Sequence, residues 1–227
     1  MTPRVVVLSS PSGAGKTTIA KELLRRRPDL GYSVSATTRA ARSGEQDGKD
    51  YRFLSRGDFA KLEAAGEFLE TVTYAGNRYG TLKEEVDRVL ASNRHVLLDI
   101  EVHGATSVRG VYKPPRLVEI FVLPPSIDVL LNRLRQRRTE SEGAMAERLM
   151  VGRLELKEVQ RDIALYMFGY DRIVVNDNLE RAVQEVSNII DEVPTKPVSL
   201  DGGLVGDLIR GLDRELERLH IGTKEST

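Results

Sequence analysis

The chain has neither cysteine nor tryptophan among its 227 residues. Without cysteine there is no disulfide framework and no thiolate metal site. Histidine is scarce as well. His95, His103 and His220 stand far apart, without ligand spacing, and read as structural or solvated groups. Net charge is missing: 34 basic residues balance 34 acidic ones. That balance argues against nucleic acid or a membrane surface as the main partner. No apolar stretch approaches a membrane span, and the N-terminus shows no long apolar leader pattern. A soluble, cytoplasmic protein is the expectation. Its length suffices for one sizeable core with small inserted lobes.

What is present begins at Ser9. The β-branched run Val5-Val6-Val7-Leu8 leads into Ser9-Ser10-Pro11-Ser12-Gly13-Ala14-Gly15-Lys16-Thr17-Thr18, and a helical pattern follows. Strand, glycine-rich turn and helix N-terminus are the context of a phosphate-binding loop. Glycines let backbone N–H groups turn inward, and the helix start adds positive potential. Lys16 reaches β- and γ-phosphates in such loops, and the Thr17 hydroxyl ligates Mg²⁺. The first position of G-x-x-x-x-G-K-[ST] is Ser10 here instead of Gly, a small residue that fits. The motif predicts a nucleoside triphosphate bound along Ser10, Pro11, Ser12, Gly13, Ala14, Gly15, Lys16, Thr17 and Thr18.

Strand-like and helical runs alternate, which predicts an α/β fold: a parallel sheet with helices on both faces. Strands are expected at Val5–Leu8, Tyr32–Ser35, Val96–Ile100, Val118–Leu123 and Arg172–Val175. Helices are expected at Lys16–Arg27, Thr81–Ala91, Ser126–Arg137, Ala144–Tyr166 and Leu179–Val193, with Ser126 and Asn178 as N-caps. The segment from about Thr37 to Gly80 interrupts the alternation, with one short helix near Asp58–Ala65. So does the charged turn Arg135–Gly143. As plain structure both are surface insertions; as function they are a substrate lobe and a lid. The expected division is a core of 1–36 and 81–194 with the lid at about 134–150, a lobe of 37–80, and a linker and C-terminal helical extension of 195–227. Within the extension, Thr195–Gly203 reads as linker. Beyond it Val205, Ile209, Leu212, Leu216 and Leu219 form an apolar stripe that needs a surface, either the chain's own core or another subunit.

Two further signals concern chemistry. His95-Val96-Leu97-Leu98-Asp99 is an apolar strand ending in a carboxylate, the form of the second nucleotide motif that helps hold Mg²⁺. Arg39 and Arg42, followed by Tyr51, suit a phosphate monoester dianion, since guanidinium groups bind phosphate oxygens in pairs. The alternative for such a run is a solvated basic loop.

At this stretch the chain resembles the guanylate kinase family. The shared pattern is Thr-Thr-Arg-x-x-Arg-x-Gly-Glu-x-x-Gly-x-Asp-Tyr over Thr37 to Tyr51. It continues in Gly66-Glu67-Phe68-Leu69-Glu70, Tyr79-Gly80-Thr81, Leu98-Asp99-Ile100-Glu101-Val102-His103-Gly104 and Val174-Val175-Asn176-Asp177. The resemblance spans roughly Arg4 to Glu192. It implies a P-loop NTPase-type core with an inserted GMP-binding lobe and a small lid. Arg39, Arg42, Tyr51 and Tyr79 would hold the GMP phosphate. Glu70 would read guanine with Ser35, Thr81 and Glu101. Arg137 and Arg148 would close on the ATP phosphates, with Arg133, Arg135 and Arg138 nearby in sequence, and Asn176 would contact adenine. Thr17 and Asp99 would hold Mg²⁺. Guanine chemistry agrees, because N1–H and the 2-amino group are adjacent donors that one carboxylate accepts together.

The activity implied is phosphoryl transfer from ATP to GMP, and to dGMP, with Mg²⁺ as cofactor. Lys16, Arg39, Arg137 and Arg148 would be the catalytic groups. Alternatives are a guanylate-kinase-like binding module without catalysis and a same-fold kinase for another phosphorylated acceptor. Monomer and homo-oligomer both stay open.

Overall fold

The computed structural model describes residues 2–74, 76–136, 142–164, 169–192 and 202–225. In chain order the elements of the first half are β1 (Val5–Ser9), α1 (Lys16–Arg26), β2 (Leu30–Tyr32), β3 (Ala36–Thr37), β4 (Arg52–Phe53), α2 (Arg56–Ala64), β5 (Phe68–Tyr74), β6 (Asn77–Leu82) and α3 (Lys83–Ala91). The second half holds β7 (His95–Asp99), α4 (Val102–Val111), β8 (Leu117–Leu123), α5 (Ile127–Arg135), α6 (Glu142–Ala164), β9 (Arg172–Val175), α7 (Leu179–Asp191) and α8 (Gly202–Glu225). Five strands form one sheet in the order β2-β7-β1-β8-β9, and four form a second in the order β4-β3-β6-β5. Among the described residues no helix is long and apolar enough to cross a membrane.

The chain separates into two compact units. The first comprises residues 1–8 and 20–118. Here β7 runs parallel to β1, pairing Val5 with Val96 and Leu8 with Asp99, and parallel to β2, pairing Leu30 with His95. Val5 to Leu8 and Val96 to Leu98 are inaccessible to solvent. Burial on both faces explains why these strands read as unbroken apolar runs. His95 is a structural residue, buried, with its Nδ1 accepting from the Arg4 N–H at 3.1 Å. The second sheet belongs to this unit too. Its core is Ala36, Phe59 and Leu82 with Leu54, Leu62 and Phe68 against them, and Phe59 stacks on Phe68 at 4.5 Å.

The second unit comprises residues 9–19 and 119–227. β8 and β9 pair in parallel, Ile120 with Arg172 through Leu123 with Val175. α5 starts where Ser126 Oγ accepts from the Val129 N–H, and α7 where Asn178 Oδ1 accepts from the Arg181 N–H, as both caps were expected. α7 buries Ala182, Val183, Val186, Ile189 and Ile190, one face at helical spacing. Of the expected stripe, Val205, Ile209 and Leu212 are buried, with Leu208 beside them, where α8 packs along α6 and against α5; Leu216 and Leu219 are half-buried.

Several boundaries differ from the sequence reading. The strand expected over Tyr32–Ser35 ends at Tyr32, because residues 33–35 carry the chain from the parallel sheet to β3. The helix expected from Thr81 starts at Lys83. Thr81 is still strand, paired with Glu70, and Leu82 supplies no side-chain cap. The segment 37–80 contains strands as well as its short helix. The linker expected through Gly203 is cut short, since Gly202 and Gly203 begin α8. Arg137, Val193 and Tyr166, expected helix ends, lie outside the described residues.

Candidate functional site

In the second unit the chain leaves β1 at Ser9, turns through 10–15 and enters α1 at Lys16. Gly13 and Gly15 have φ of +90° and +96°, which side-chain-bearing residues avoid. A Cβ on Gly13 would also lie 2.9 Å from Leu130 Cδ1 and Leu134 Cγ, and one on Gly15 would collide with the Asn176 amide. Ser10 is 5% exposed, so a small residue does stand at the motif's first position. The loop closes on itself through the Ala14 N–H to the Pro11 carbonyl at 3.1 Å. Lys16 is half-buried; Thr17 and Thr18 are exposed on the first turn.

The Ala14 carbonyl accepts from Asn176 Nδ2 at 2.8 Å and Arg133 Nη1 at 3.0 Å. Arg133 Nη2 donates to the Asn176 carbonyl at 2.9 Å. Two donors occupy both lone-pair directions of that carbonyl, so the peptide plane is fixed. A trans peptide then aims the Gly15 N–H the opposite way, as a phosphate cradle requires. Burial pulls the Arg133 guanidinium below its ordinary value, though it stays charged. Asn176 is 4% exposed, and its Oδ1 has no hydrogen-bond partner among the described residues. Arg148 is half-buried on α6, and Gly152 of that helix approaches Pro11 and the Ser12 nitrogen. Arg135 pairs with Glu215 at 2.7 Å. Arg137 and Arg138 lie outside the described residues.

The expected acceptor residues all fall in the first unit. Thr81 Oγ1 donates to Glu70 Oε1 at 2.7 Å, across the strand pair β5–β6. A register shift between Phe68 and Glu70 re-aims this stretch, as bulges beside binding sites do. Gly104 of α4 leaves room for the same carboxylate: a Cβ there would sit 3.1 Å from Glu70 Oε2. Gly80, between Tyr79 and Thr81, is required because a Cβ would meet the Phe68 ring at 2.8 Å and the Glu70 carbonyl at 2.9 Å.

Arg39, Tyr51 and Tyr79 gather around one another. The two phenol rings meet edge-on at 5.9 Å, and the Arg39 guanidinium lies 5.4 Å from the Tyr51 ring centre. Arg39 Nη2 donates to Glu45 Oε1 at 2.8 Å, and the Arg42 N–H donates to Glu45 Oε2 at 2.7 Å. Those contacts, Arg39 first, hold the Glu45 carboxyl below its usual range. The Arg42 side chain is exposed, while Ser35 and Glu101 are half-buried. Asp99 ends β7, and burial together with its charge pushes the Tyr32 phenol well up. Among the described residues no cluster of three or more acidic or histidine groups could hold a metal unaided.

Two residues escaped the sequence reading. Glu45 holds the Arg39 guanidinium and the Arg42 backbone N–H; its place one residue after Gly44 and three after Arg42 was the available signal. Arg133 was one of several arginines near the lid, and no sequence signal separates it from them, since its partners Ala14 and Asn176 are remote in the chain.

Comparison with known proteins supplies the family. The guanylate kinase family model matches residues 2–193. The guanylate kinase of Chlorobium chlorochromatii is 44% identical over 187 residues, covering 82% of this chain and 94% of the relative. That of Sus scrofa is 42% identical over 191 residues, covering 84% and 93%. Among solved structures, guanylate kinase from Anaplasma phagocytophilum superposes with a TM-score of 0.65 at 32% identity, over 86% of this chain and 88% of that one. With a phosphate loop in one unit and the Glu70 and Arg39 clusters in the other, the chain belongs to the guanylate kinase family, a class of nucleoside monophosphate kinases.

Proposed function

We propose that the chain catalyses ATP + GMP ⇌ ADP + GDP, with dGMP as a second acceptor. The observation that carries the acceptor assignment is the Glu70 carboxylate, set by Thr81 Oγ1 at 2.7 Å and given space by Gly104. A carboxylate has acceptor capacity beyond the one threonine bond. Guanine brings N1–H and its 2-amino group to it, whereas adenine offers an unprotonated N1. Sites built on specific hydrogen bonds reject the wrong partner by as much as ~10⁴-fold. Arg39, Arg42, Tyr51 and Tyr79 take the monophosphate.

The nucleophile is a GMP phosphate oxygen. Its second ionisation falls near pH 6, so it is anionic at neutrality and needs no general base. A P–O bond forms to the γ-phosphorus as the bond to the β,γ-bridging oxygen breaks, and ADP leaves with that electron pair. The chain's part is alignment and charge. Loop N–H groups and Lys16 hold the donor phosphates, Arg137 and Arg148 offset charge on the group in transit, and Arg39 keeps the acceptor oriented. Mg²⁺ delivered with ATP would keep phosphate and water ligands, and the Thr17 hydroxyl and the Asp99 carboxylate are the protein groups that would hold it. When bound, it neutralises phosphate charge.

Product chromatography after mixing the chain with ATP, Mg²⁺ and GMP tests the reading. ADP and GDP should appear in equal amounts. Lys16→Met should lower kcat by about 10²-fold or more while GMP binding persists. GMP binding with no turnover from the natural chain would instead favour the non-catalytic module.

A further inference from the structure

Helix α8 begins beyond the stretch that the family model matches, which ends at residue 193. It does more than cover a surface. Asp213 accepts a hydrogen bond from Arg153 Nε of α6, and Glu215 Oε1 accepts one from Arg135 Nη2 of α5 at 2.7 Å. Arg218 braces Glu215 from its own helix at 2.8 Å. Burial alone would raise the Glu215 carboxyl; the bonds from Arg218 and Arg135 outweigh it and hold the group below its usual range.

Each anchor stands within two residues of a position that faces the phosphate loop. Arg153 follows Gly152, where an added Cβ would lie 3.7 Å from Pro11 Cβ and 4.0 Å from the Ser12 nitrogen. Arg135 is two residues from Arg133, which holds the Ala14 carbonyl at 3.0 Å. Within the buried seam, Gly211 lets α8 meet α5 closely, for a Cβ there would stand 2.5 Å from Ile127 Cγ1.

We propose that α8 is a brace for the phosphate loop, with Asp213 and Glu215 as positioning residues for ATP. One rod grips both helices at the turns that contact the loop. Releasing the grip lets Arg133 and Gly152 shift against Ala14 and Pro11, and the backbone cradle loses its set geometry. The acceptor residues belong to the other unit, so the effect is confined to the donor substrate. The inference rests on the assignment of this loop to ATP.

The test uses the full chain carrying Asp213→Asn and Glu215→Gln together, with initial rates measured against each substrate. Partly exposed ion pairs are each worth a small factor, so KM for ATP should rise about threefold to tenfold. KM for GMP should change less than about twofold. Asp213→Arg alone should raise KM for ATP, and adding Arg153→Asp to it should return KM to near the natural value. An unchanged KM for ATP, equal rises in both constants, or failure of that exchange to restore KM would overturn the brace. Should the natural chain fail to phosphorylate GMP, the proposed activity falls on its own. Binding of a fluorescent ATP analogue then decides the brace: weaker binding by the double variant supports it, and equal binding overturns it.

Discussion

At the residue scale, the proposed site contains side chains that hold others in place. Glu45 is one: it spans the Arg39 guanidinium and the Arg42 backbone. Its carboxyl titrates lower in the folded chain than in the unfolded one, whose value is near 4.3. The stabilisation is therefore present above that value and fades as pH falls through the folded value. Chemical denaturation at neutral pH should show Glu45→Gln less stable than the natural chain, and the gap should narrow progressively as pH falls below the unfolded value of about 4.3. A gap that persists or widens in acid would contradict this role. Gly104 is another. Gly104→Ala puts a methyl group against the Glu70 carboxylate while improving the helical propensity of α4 by up to ~1 kcal/mol. Thermal unfolding should move up or stay, and KM for GMP should rise severalfold; a lowered Tm with an unchanged KM would refute the steric argument.

At the element scale, legibility followed the length over which a pattern could repeat. β1, β7 and β8 were readable because burial on both faces demands runs of apolar residues. α7 and α8 were readable because each carries a stripe over three turns or more. β3 and β4 were not. Each has two residues, and they are strands only because Ala36 pairs with Gly80 and with Arg52. α4 was hidden by Gly104, Gly110 and its β-branched valines, all weak helix formers, and forms where Val102, Ala105 and Val108 are buried. The glycines of α8 weaken it in isolation but have a use in context. Gly211→Ala should destabilise the chain by about 1–3 kcal/mol through overlap with Ile127, read as a lowered Tm. A neutral or raised Tm would show that α8 does not lie as close to α5 as described.

At the scale of the whole molecule, the residues assigned to the proposed reaction fall in two compact units. Residues 9–19 with Arg133, Arg148 and Asn176 belong to one, and Glu70, Thr81 and the Arg39 cluster belong to the other. The sequence displayed both sets, because phosphate loops and paired arginines have short, local signatures. It concealed the supports. Asn176 and Ala14 are 162 positions apart, and Arg135 and Glu215 are 80 apart, so neither contact leaves a local trace. The balanced charge of 34 against 34 agrees with small anionic substrates held by a few placed cations instead of a broad basic face.

The central claim is that Glu70 selects guanine for phosphorylation by ATP. Rates of ADP release with GMP, dGMP, AMP, CMP and UMP, for the natural chain and for Glu70→Gln, test it most directly. The natural chain should turn over GMP and dGMP and reject AMP by ~10³-fold or more, and Glu70→Gln should lower kcat/KM for GMP by about 10²-fold, the worth of two bonds to a charged acceptor. An undiminished preference for GMP in Glu70→Gln, or a natural chain that phosphorylates AMP as readily, would contradict the account.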